Sequence, residues 1–489
     1  LLDDLYNYHL IEEPARGRYR FHDLIREHAR VHAAEDQQEE REDSVRRLLA
    51  YYLEMARAAN RYLARRTPVE LSVAMGSLPT YAPDLRTRQD VVAWMDTERL
   101  NLDAAVNYAA LHGLPIYAVA IAASMHSYLR NQGHWNQALR LHQVALNAAR
   151  QTADRLGEAG ALTDLGVMEY LSGEYSNAIS TLSRSVQLYE DLRSILGAAN
   201  ALTDLGVAQY LTGNHSSAIA SLGHALELHR NLGNRLGEAT ALSQLGTVQY
   251  MTGAYTAATS NLSRALELHR ELGNSVGEAN ARNNLGVVQY LTGDYTAAAI
   301  NLGLAARLHG DLGNRLGQAN ALTELGNVQR LTGEYSEATV SEENALEIFR
   351  DLGARLGEGT ALNNLGVIQF LVGDYRAALV NLTLALGIHR DLGNRTGEAE
   401  ALNHLGDLWL VTTTPDEAYP CYEKARVIAM DIRAPFEHAR ALEGIGRCYL
   451  KNAHIDGAVA PLNQALTIYQ QIGSPNAQRV ARILRDHGL

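Results

Sequence analysis

Apolar residues recur along most of this chain at helical spacing, and glycines break the pattern at regular intervals. Between Arg235 and Met251, the positions Leu236, Ala239, Leu242, Leu245 and Val248 share one helical face before Thr252-Gly253 interrupts them. A second run, with Ala258, Leu262, Ala265, Leu266 and Leu268, reaches Leu272 and stops at Gly273-Asn274. Glycine can take the left-handed turn that ends a helix, and asparagine can cap the next one. The pattern predicts two helices of about five turns each, joined by turns too short for anything but antiparallel packing.

This pair is a repeating unit. Gly166, Gly206, Gly246, Gly286, Gly326, Gly366, Gly406 and Gly446 stand forty residues apart, and an alanine follows each one twelve positions later. A fixed period of this length marks a solenoid, whose units bury their apolar faces only against their neighbours. Small residues are needed where helices approach closely, and Gly246, Ala258 and Ala265 leave room for Leu242, Leu245 and Leu262 to interdigitate. A chain of 489 residues is too long for one compact core. A solenoid grows by addition and has no such ceiling.

The series Leu242, Leu245-Gly246, Ala258, Leu262 and Ala265 resembles the tetratricopeptide repeat. It recurs from about residue 156 to 472, and a degenerate earlier copy with Gly133, Trp135, Ala138 and Ala145 carries His126 in the glycine position. Gln209, Gln249, Gln289, Gln329 and Gln369 stand where the family usually has an aromatic residue, and the period is six longer than the family's usual length. The resemblance implies an all-α, right-handed superhelical solenoid of about nine helical hairpins over residues 117–475, closed by a capping helix at 476–489. It also implies a concave groove lined by the first helices, at positions six and three before the repeat glycine and four after it. Those positions hold Asn200, Thr240, Asn280 and Asn320; then Thr203, Ser243, Asn283, Asn363 and Asn403; then Tyr170, Tyr210, Tyr250, Tyr290 and Phe370. Asparagine offers both donor and acceptor, and tyrosine adds a rigid amphipathic surface, which suits an extended peptide, a protein segment or a polar small molecule.

The pattern is broken in one stretch. Arg330 replaces the groove tyrosine, Arg282 a core leucine, and Glu342 a leucine or other large residue. An unpaired carboxylate at that place is costly, so Glu342 is expected to be paired, hydrated or turned outward. Arg330 is a candidate anchor for an anionic group.

Residues 1–116 do not follow the period. Short extended runs around Pro14 and Gly17 precede a helix beginning near His22-Asp23, with Asp23 at its positive end. The segment YRFHDLIREHAR resembles the end of the winged-helix subdomain of the NB-ARC nucleotide switch in actinobacterial STAND regulators, signal-transduction ATPases with numerous domains. WMDTERLNLDAAVNYA, from Trp94 to Ala109, resembles the helical segment that bridges switch and repeats in the same regulators. Residues 1–35 are therefore expected to be the C-terminal part of a winged helix, with His22 closing its core, and residues 36–116 a helical linker. The resemblance implies a sensor arm for ligand or protein in an ATP-switched regulator of signalling or transcription. ATP or ADP would bind a module in cis upstream of these residues. A constitutive scaffold without a nucleotide switch is the alternative.

Composition narrows the choice. A net charge of −12, with Lys424 and Lys451 the only lysines, gives no basic surface for nucleic acid. No stretch approaches a membrane span, which points to a cytoplasmic protein. Cys421 and Cys448 are too few for a disulfide framework and are expected to be reduced. The chain shows no phosphate loop, nucleophile elbow or metal-ligand spacing, so no catalytic or metal site is expected, and the array should fold without metal. His229, His269, His309 and His389 recur in register, yet the same slot holds Tyr189, Phe349 and Tyr469, which favours ring packing over titration or ligation.

Overall fold

The computed structural model describes residues 2–15, 18–35, 37–63, 82–472 and 474–489. The chain divides into two compact units, residues 1–248 and 249–489. The turn expected at Gly17 and residues 64–81 of the expected linker lie outside the described residues.

Unit 1 opens with α1 (Leu2–Asn7), an antiparallel hairpin of β1 (Ile11–Ala15) and β2 (Arg18–Phe21), and α2 (Asp23–Glu35). Ile11 pairs with Phe21 and Glu12 with Arg20, and a register irregularity follows before Ala15. His22 does not close a core as expected. It is half-exposed and its Nδ1 lies 3.1 Å from Glu12 Oε1, because the hairpin turns this position toward a carboxylate rather than toward apolar neighbours. Two long helices follow, α3 (Gln38–Leu63) and α4 (Arg88–Leu111), the latter opened by a reciprocal capping box between Thr87 and Asp90.

The repeating helices then begin. Unit 1 holds α5 (Pro115–Asn131), α6 (Trp135–Gln151), α7 (Arg155–Leu171), α8 (Tyr175–Asp191), α9 (Ile195–Leu211) and α10 (His215–Asn231), and the unit boundary falls in the last turn of α11 (Arg235–Met251). Unit 2 holds α12 (Tyr255–Glu271), α13 (Ser275–Leu291), α14 (Tyr295–Asp311), α15 (Arg315–Thr332), α16 (Tyr335–Asp351) and α17 (Arg355–Val372). It continues with α18 (Tyr375–Asp391), α19 (Arg395–Thr412), α20 (Pro415–Asp431), α21 (Pro435–Lys451), α22 (Ile455–Gln471) and the closing α23 (Asn476–Asp486). In chain order α5 to α22 make nine helix pairs among the described residues, as the forty-residue period predicts.

The glycine of each repeat is a contact point. A Cβ built on Gly206 would stand 2.5 Å from Leu222 Cγ, sixteen residues later, and 3.3 Å from the carbonyl of Ala218, twelve residues later. Gly166 meets Leu182, Gly286 meets Leu302 and Gly366 meets Leu382 in the same way. The paired helices thus touch backbone to side chain at this level, and Ala218, Ala298 and Ala378 are fully buried. Larger side chains at either place would separate the helices.

In the regular stretch hydrogen bonds add two further kinds of stitch, one within a hairpin and one between successive hairpins. The glutamines that replace the family's aromatic residue accept from the partner helix: Asn261 Nδ2 donates to Gln249 Oε1 at 2.8 Å, Asn301 to Gln289 at 2.9 Å and Asn381 to Gln369 at 2.8 Å. At the turn between repeats Gly273 has φ +64°, and the next residue, Asn274, does two things at once. Its Oδ1 accepts from the backbone N–H of Gly277, capping α13, while its Nδ2 lies 3.2 Å from His269 Nδ1 at the end of α12. The same joint links Asn234 to His229, Asn314 to His309 and Asn394 to His389. Where the slot holds Tyr189, Phe349 or Tyr469, the residue five later is serine or alanine.

Except for Tyr469, which has Ala477 at that place, these rings also lie over a glycine, as His269 does on Gly277, where a Cβ would come within 2.3 Å of Nδ1. Burial in this slot holds His229 and His269 in the neutral form, with pKa values lowered to about 4, against the opposing pull of Glu238 and Glu278. The histidine ladder is a packing and capping device.

Two outcomes follow. Ala298→Leu should cost about 1 to 3 kcal/mol through overpacking, and Ala257→Leu, on an exposed face, under about 0.5 kcal/mol; equal shifts of the two urea midpoints would contradict the register. For His229 and His269 the folded pKa lies below the ordinary value near 6.5, so the stability they contribute is present above that pH and is lost as pH falls toward about 4. Comparing urea midpoints at pH 7 and pH 5, the drop in stability should be smaller by about 1 to 2 kcal/mol in His269→Phe.

Candidate functional site

In unit 2 the first helices of successive pairs, α15, α17, α19 and α21, together with α23, enclose a cavity of about 650 Å³. Four tracks of the repeat supply much of its lining, counted from the repeat glycine. Six before are Thr360, Glu400 and Arg440; two before are Glu324, Asn364 and His404; one after are Asn327, Val367, Asp407 and Arg447; four after are Arg330 and Phe370.

Of the positions expected to bind, Arg330 and Phe370 are brought to this cavity. On the track three before the glycine, Thr323 and Glu443 reach the cavity, but the residues expected to bind there do not line it. Thr203, Ser243 and Asn363 are buried, and the hydroxyls of Thr203 and Ser243 bond back to the carbonyls of Ala199 and Ala239 at 2.9 and 3.0 Å. Asn283 Oδ1 is buried without a hydrogen-bond partner among the described residues. Asn200 is buried, Thr240 donates to the carbonyl of Leu236, Asn280 is half-buried and Asn320 is exposed. Tyr210, Tyr250 and Tyr290 are half-buried, and burial, with Glu324 adding to it, pushes the Tyr290 hydroxyl up to about 12.

The tracks two before and one after the glycine were not expected to line a site. They could have been noticed: the position one after is Val167, Val207, Thr247 and Val287 early in the chain, then Asn327, Asp407 and Arg447.

Most of the charge here is paired. Asp407 accepts from Arg440 Nη2, Arg447 Nη1 and the Tyr422 hydroxyl at 3.1, 3.1 and 2.8 Å. Arg440 Nη1 lies 3.0 Å from His404 Nε2, and His404 Nδ1 lies 3.1 Å from Asn363 Oδ1. A guanidinium can only donate, so Nε2 accepts and the ring carries its proton on Nδ1. Burial, then Arg440 and Arg330, hold His404 well below its usual pKa. Burial alone would lower Arg440, yet Asp407, Glu437 and Glu400 hold it above its ordinary value. Asn363 Nδ2 donates to Glu400 at 3.2 Å, and Arg479 Nη2 donates to Glu443 at 2.7 Å.

Arg330 differs from these cations. It makes no hydrogen bond through its guanidinium and no ion pair within 4.0 Å among the described residues, and burial lowers its pKa while Glu342 and Glu400 act on it only through space. The other two departures from the repeat are internal. Arg282 lies over Glu278, with Nε and Nη2 both 2.9 Å from one carboxylate oxygen, and reaches Asn301 at 3.1 Å. Glu342 occupies the slot of the contact leucine against Gly326 and is fully buried. Of the alternatives expected, it is paired and not turned outward. Oε1 accepts from Asn364 Nδ2 at 2.9 Å, Oε2 has no hydrogen-bond partner among the described residues, and burial raises the carboxyl well above its usual pKa.

The tetratricopeptide repeat family model matches residues 197–271, 237–309 and 317–391. Over 192 residues the chain is 32% identical to the regulatory protein AfsR of Streptomyces griseus; the match covers 38% of this chain and 19% of that protein, so the chain corresponds to about a fifth of its relative's length. Among solved structures, the apo quorum sensor NprR of B. thuringiensis is similar with a TM-score of 0.54 at 11% identity, covering 70% of this chain and 99% of that one. A Rap protein complexed with competence and sporulation factor is similar with a TM-score of 0.53 at 15% identity, covering 73% and 98%. At these identities the likeness is one of fold. The tetratricopeptide-type solenoid expected from the repeat pattern is the fold of this chain.

Because its folded pKa is raised, Glu342 imposes no cost below about pH 4.5 and a growing cost as pH rises above it. Glu342→Leu, which restores the contact of the other layers, should raise stability at pH 7 by about 1 to 2 kcal/mol, the gain reduced by the acceptor that Asn364 loses. The gain should shrink at pH 4. A fall in the urea midpoint at pH 7 would mean that Glu342 is ionised and stabilising.

Proposed function

We propose that this chain is the sensing part of a regulator and that the unit 2 cavity receives an extended peptide or protein segment, with an anionic group of the ligand seated on Arg330. One observation carries this reading: Arg330 is a cation at a polar cavity with no bonded partner among the described residues, while the neighbouring Arg440, Arg447 and Arg479 are each committed to a carboxylate. Holding a desolvated guanidinium unpaired is costly, and a carboxylate or phosphate that binds it in bidentate fashion offsets that cost. Phe370 beside it supplies an apolar wall.

The relatives support the biological side. Similarity to the regulatory protein AfsR favours a regulatory role. The fold is shared with a quorum sensor and with a Rap protein bound to competence and sporulation factor, which favours a ligand of peptide size. The resemblance of residues 19–30 and 94–109 to STAND regulators extends the proposal to a nucleotide-binding module in cis. A ligand that prefers one conformation of the array would then bias the switch by its difference in affinity between states. No catalytic step is assigned to these residues.

The test is fluorescence anisotropy with labelled seven-residue peptides that are matched except for one or two acidic residues. Arg330→Ala should weaken the acidic peptides about tenfold, roughly 1.4 kcal/mol, leave neutral ones within about twofold, and not lower the urea midpoint. Equal binding of acidic peptides by both proteins would remove Arg330 from the site. In the intact regulator, a binding peptide that leaves ATP turnover unchanged would favour a scaffold over a switch.

A further inference from the structure

The contact between the repeat glycine and the leucine sixteen positions later is changed on both sides in the first pair. His126 on α5 stands at the glycine position, and His142 on α6 stands at the leucine position. The third residue of this node, on α7, is Asp164. All three are buried, at 6%, 1% and 4% exposure. His126 Nδ1 lies 3.2 Å from His142 Nε2 and 3.4 Å from Asp164 Oδ1, and the three ligand atoms fall within 4.8 Å of one another. The rings are tilted by 47° with centroids 5.2 Å apart, so they are not stacked.

Two imidazoles and a carboxylate are ligand types that zinc takes, at about 2.0 to 2.2 Å, and tetrahedral geometry then sets ligand atoms about 3.3 Å apart. The two distances at His126 Nδ1 bracket that spacing. Hydrogen bonding alone accounts less well for the arrangement. One N–H on Nδ1 cannot point at both His142 Nε2 and Asp164 Oδ1, and an unprotonated Nδ1 would turn its lone pair on a carboxylate. A cation at the point of convergence accepts all three lone pairs.

We propose that His126, His142 and Asp164 bind a zinc ion that ties the first helix pair to the helix after it. The absence of any ligand spacing in the sequence does not oppose this. The ligands come from three helices, sixteen and twenty-two residues apart, and only the repeat register brings them together. The ion would strengthen this layer while leaving the other layers to their leucine and glycine contacts.

His28 and His32 form an exposed pair on α2, with Nε2 atoms 3.1 Å apart, and would bind added metal independently. The test therefore uses the full chain with His28→Gln and His32→Gln in every protein compared, stripped with chelator and titrated with Zn2+ against a chromophoric competitor. One equivalent should bind with submicromolar affinity, raise the thermal midpoint, and, as Co2+, give the intense visible absorption of a tetrahedral site. His126→Gly/His142→Leu restores the contact of the other layers and should fold with unchanged helical circular dichroism while binding more than about 100-fold more weakly. Asp164→Asn, close in size, should lose most of the affinity and serves as the second variant if the double variant does not fold. A stripped chain that binds neither ion more tightly than about 0.1 mM, or variants that bind as the parent does, would reduce the three residues to a buried hydrogen-bonded cluster.

Discussion

The structure depends on how closely two helices can approach at one point in each repeat. Gly206 faces Leu222 and the carbonyl of Ala218 at distances that leave no space for a Cβ, and the same contact recurs at Gly166, Gly286, Gly366 and Gly446. The approach fixes the rotation of each helix about its axis. Rotation in turn decides which tracks are buried, which form the hairpin stitches, and which face the cavity. A helix cannot slide or turn here without driving a leucine into backbone, so the repeat is specified by steric exclusion as much as by apolar burial.

This constraint also explains what the sequence showed and what it concealed. Helix ends were legible because local chemistry sets them: Gly273 at positive φ and Asn274 as a cap can be read from two letters, and α11 spans Arg235–Met251 as the apolar period indicates. Glu342 in place of leucine was visible as an anomaly, though its burial against Gly326 with Asn364 donating to it was not. The cavity face was half legible. Arg330 and Phe370 line it, but Asn363 and Thr203 are turned into the packing between neighbouring layers. Adjacent positions on a helix differ by about 100°, so a shift of one residue moves a track from lining to core. The amount of that rotation is set by neighbours in space, which a single repeat does not contain. His22 failed for a related reason: an extended run followed by a helix identifies a hairpin and its helix, but not what covers them.

Charge in unit 2 is arranged as a graded series. Asp407 holds two arginines and a tyrosine, Glu443 holds Arg479, and His404 is kept neutral between Asn363 and Arg440. Such a network is rigid because each member restrains the next. Glu324 and Glu400 are biased toward the neutral form by burial, so the cavity is less anionic than its residue list implies. Arg330 sits at the end of this series, where its charge is least compensated.

The joint at each turn has a consequence for how such a chain can change length. His269 and Asn274, Gln289 and Asn301, and Gly286 and Leu302 are contacts spanning five, twelve and sixteen residues, and each has an equivalent one period away. Gaining or losing forty residues inside the regular stretch, starting at any phase of the repeat, rebuilds every one of them. The array can therefore be lengthened or shortened by unequal recombination at little cost to folding. The layers containing His126 and Glu342 are different, because each sets an exceptional residue against a polar partner in the following repeat, Asp164 or Asn364. These two layers are marked places in an otherwise interchangeable series, where a change of length must bring in a following repeat with a suitable polar partner.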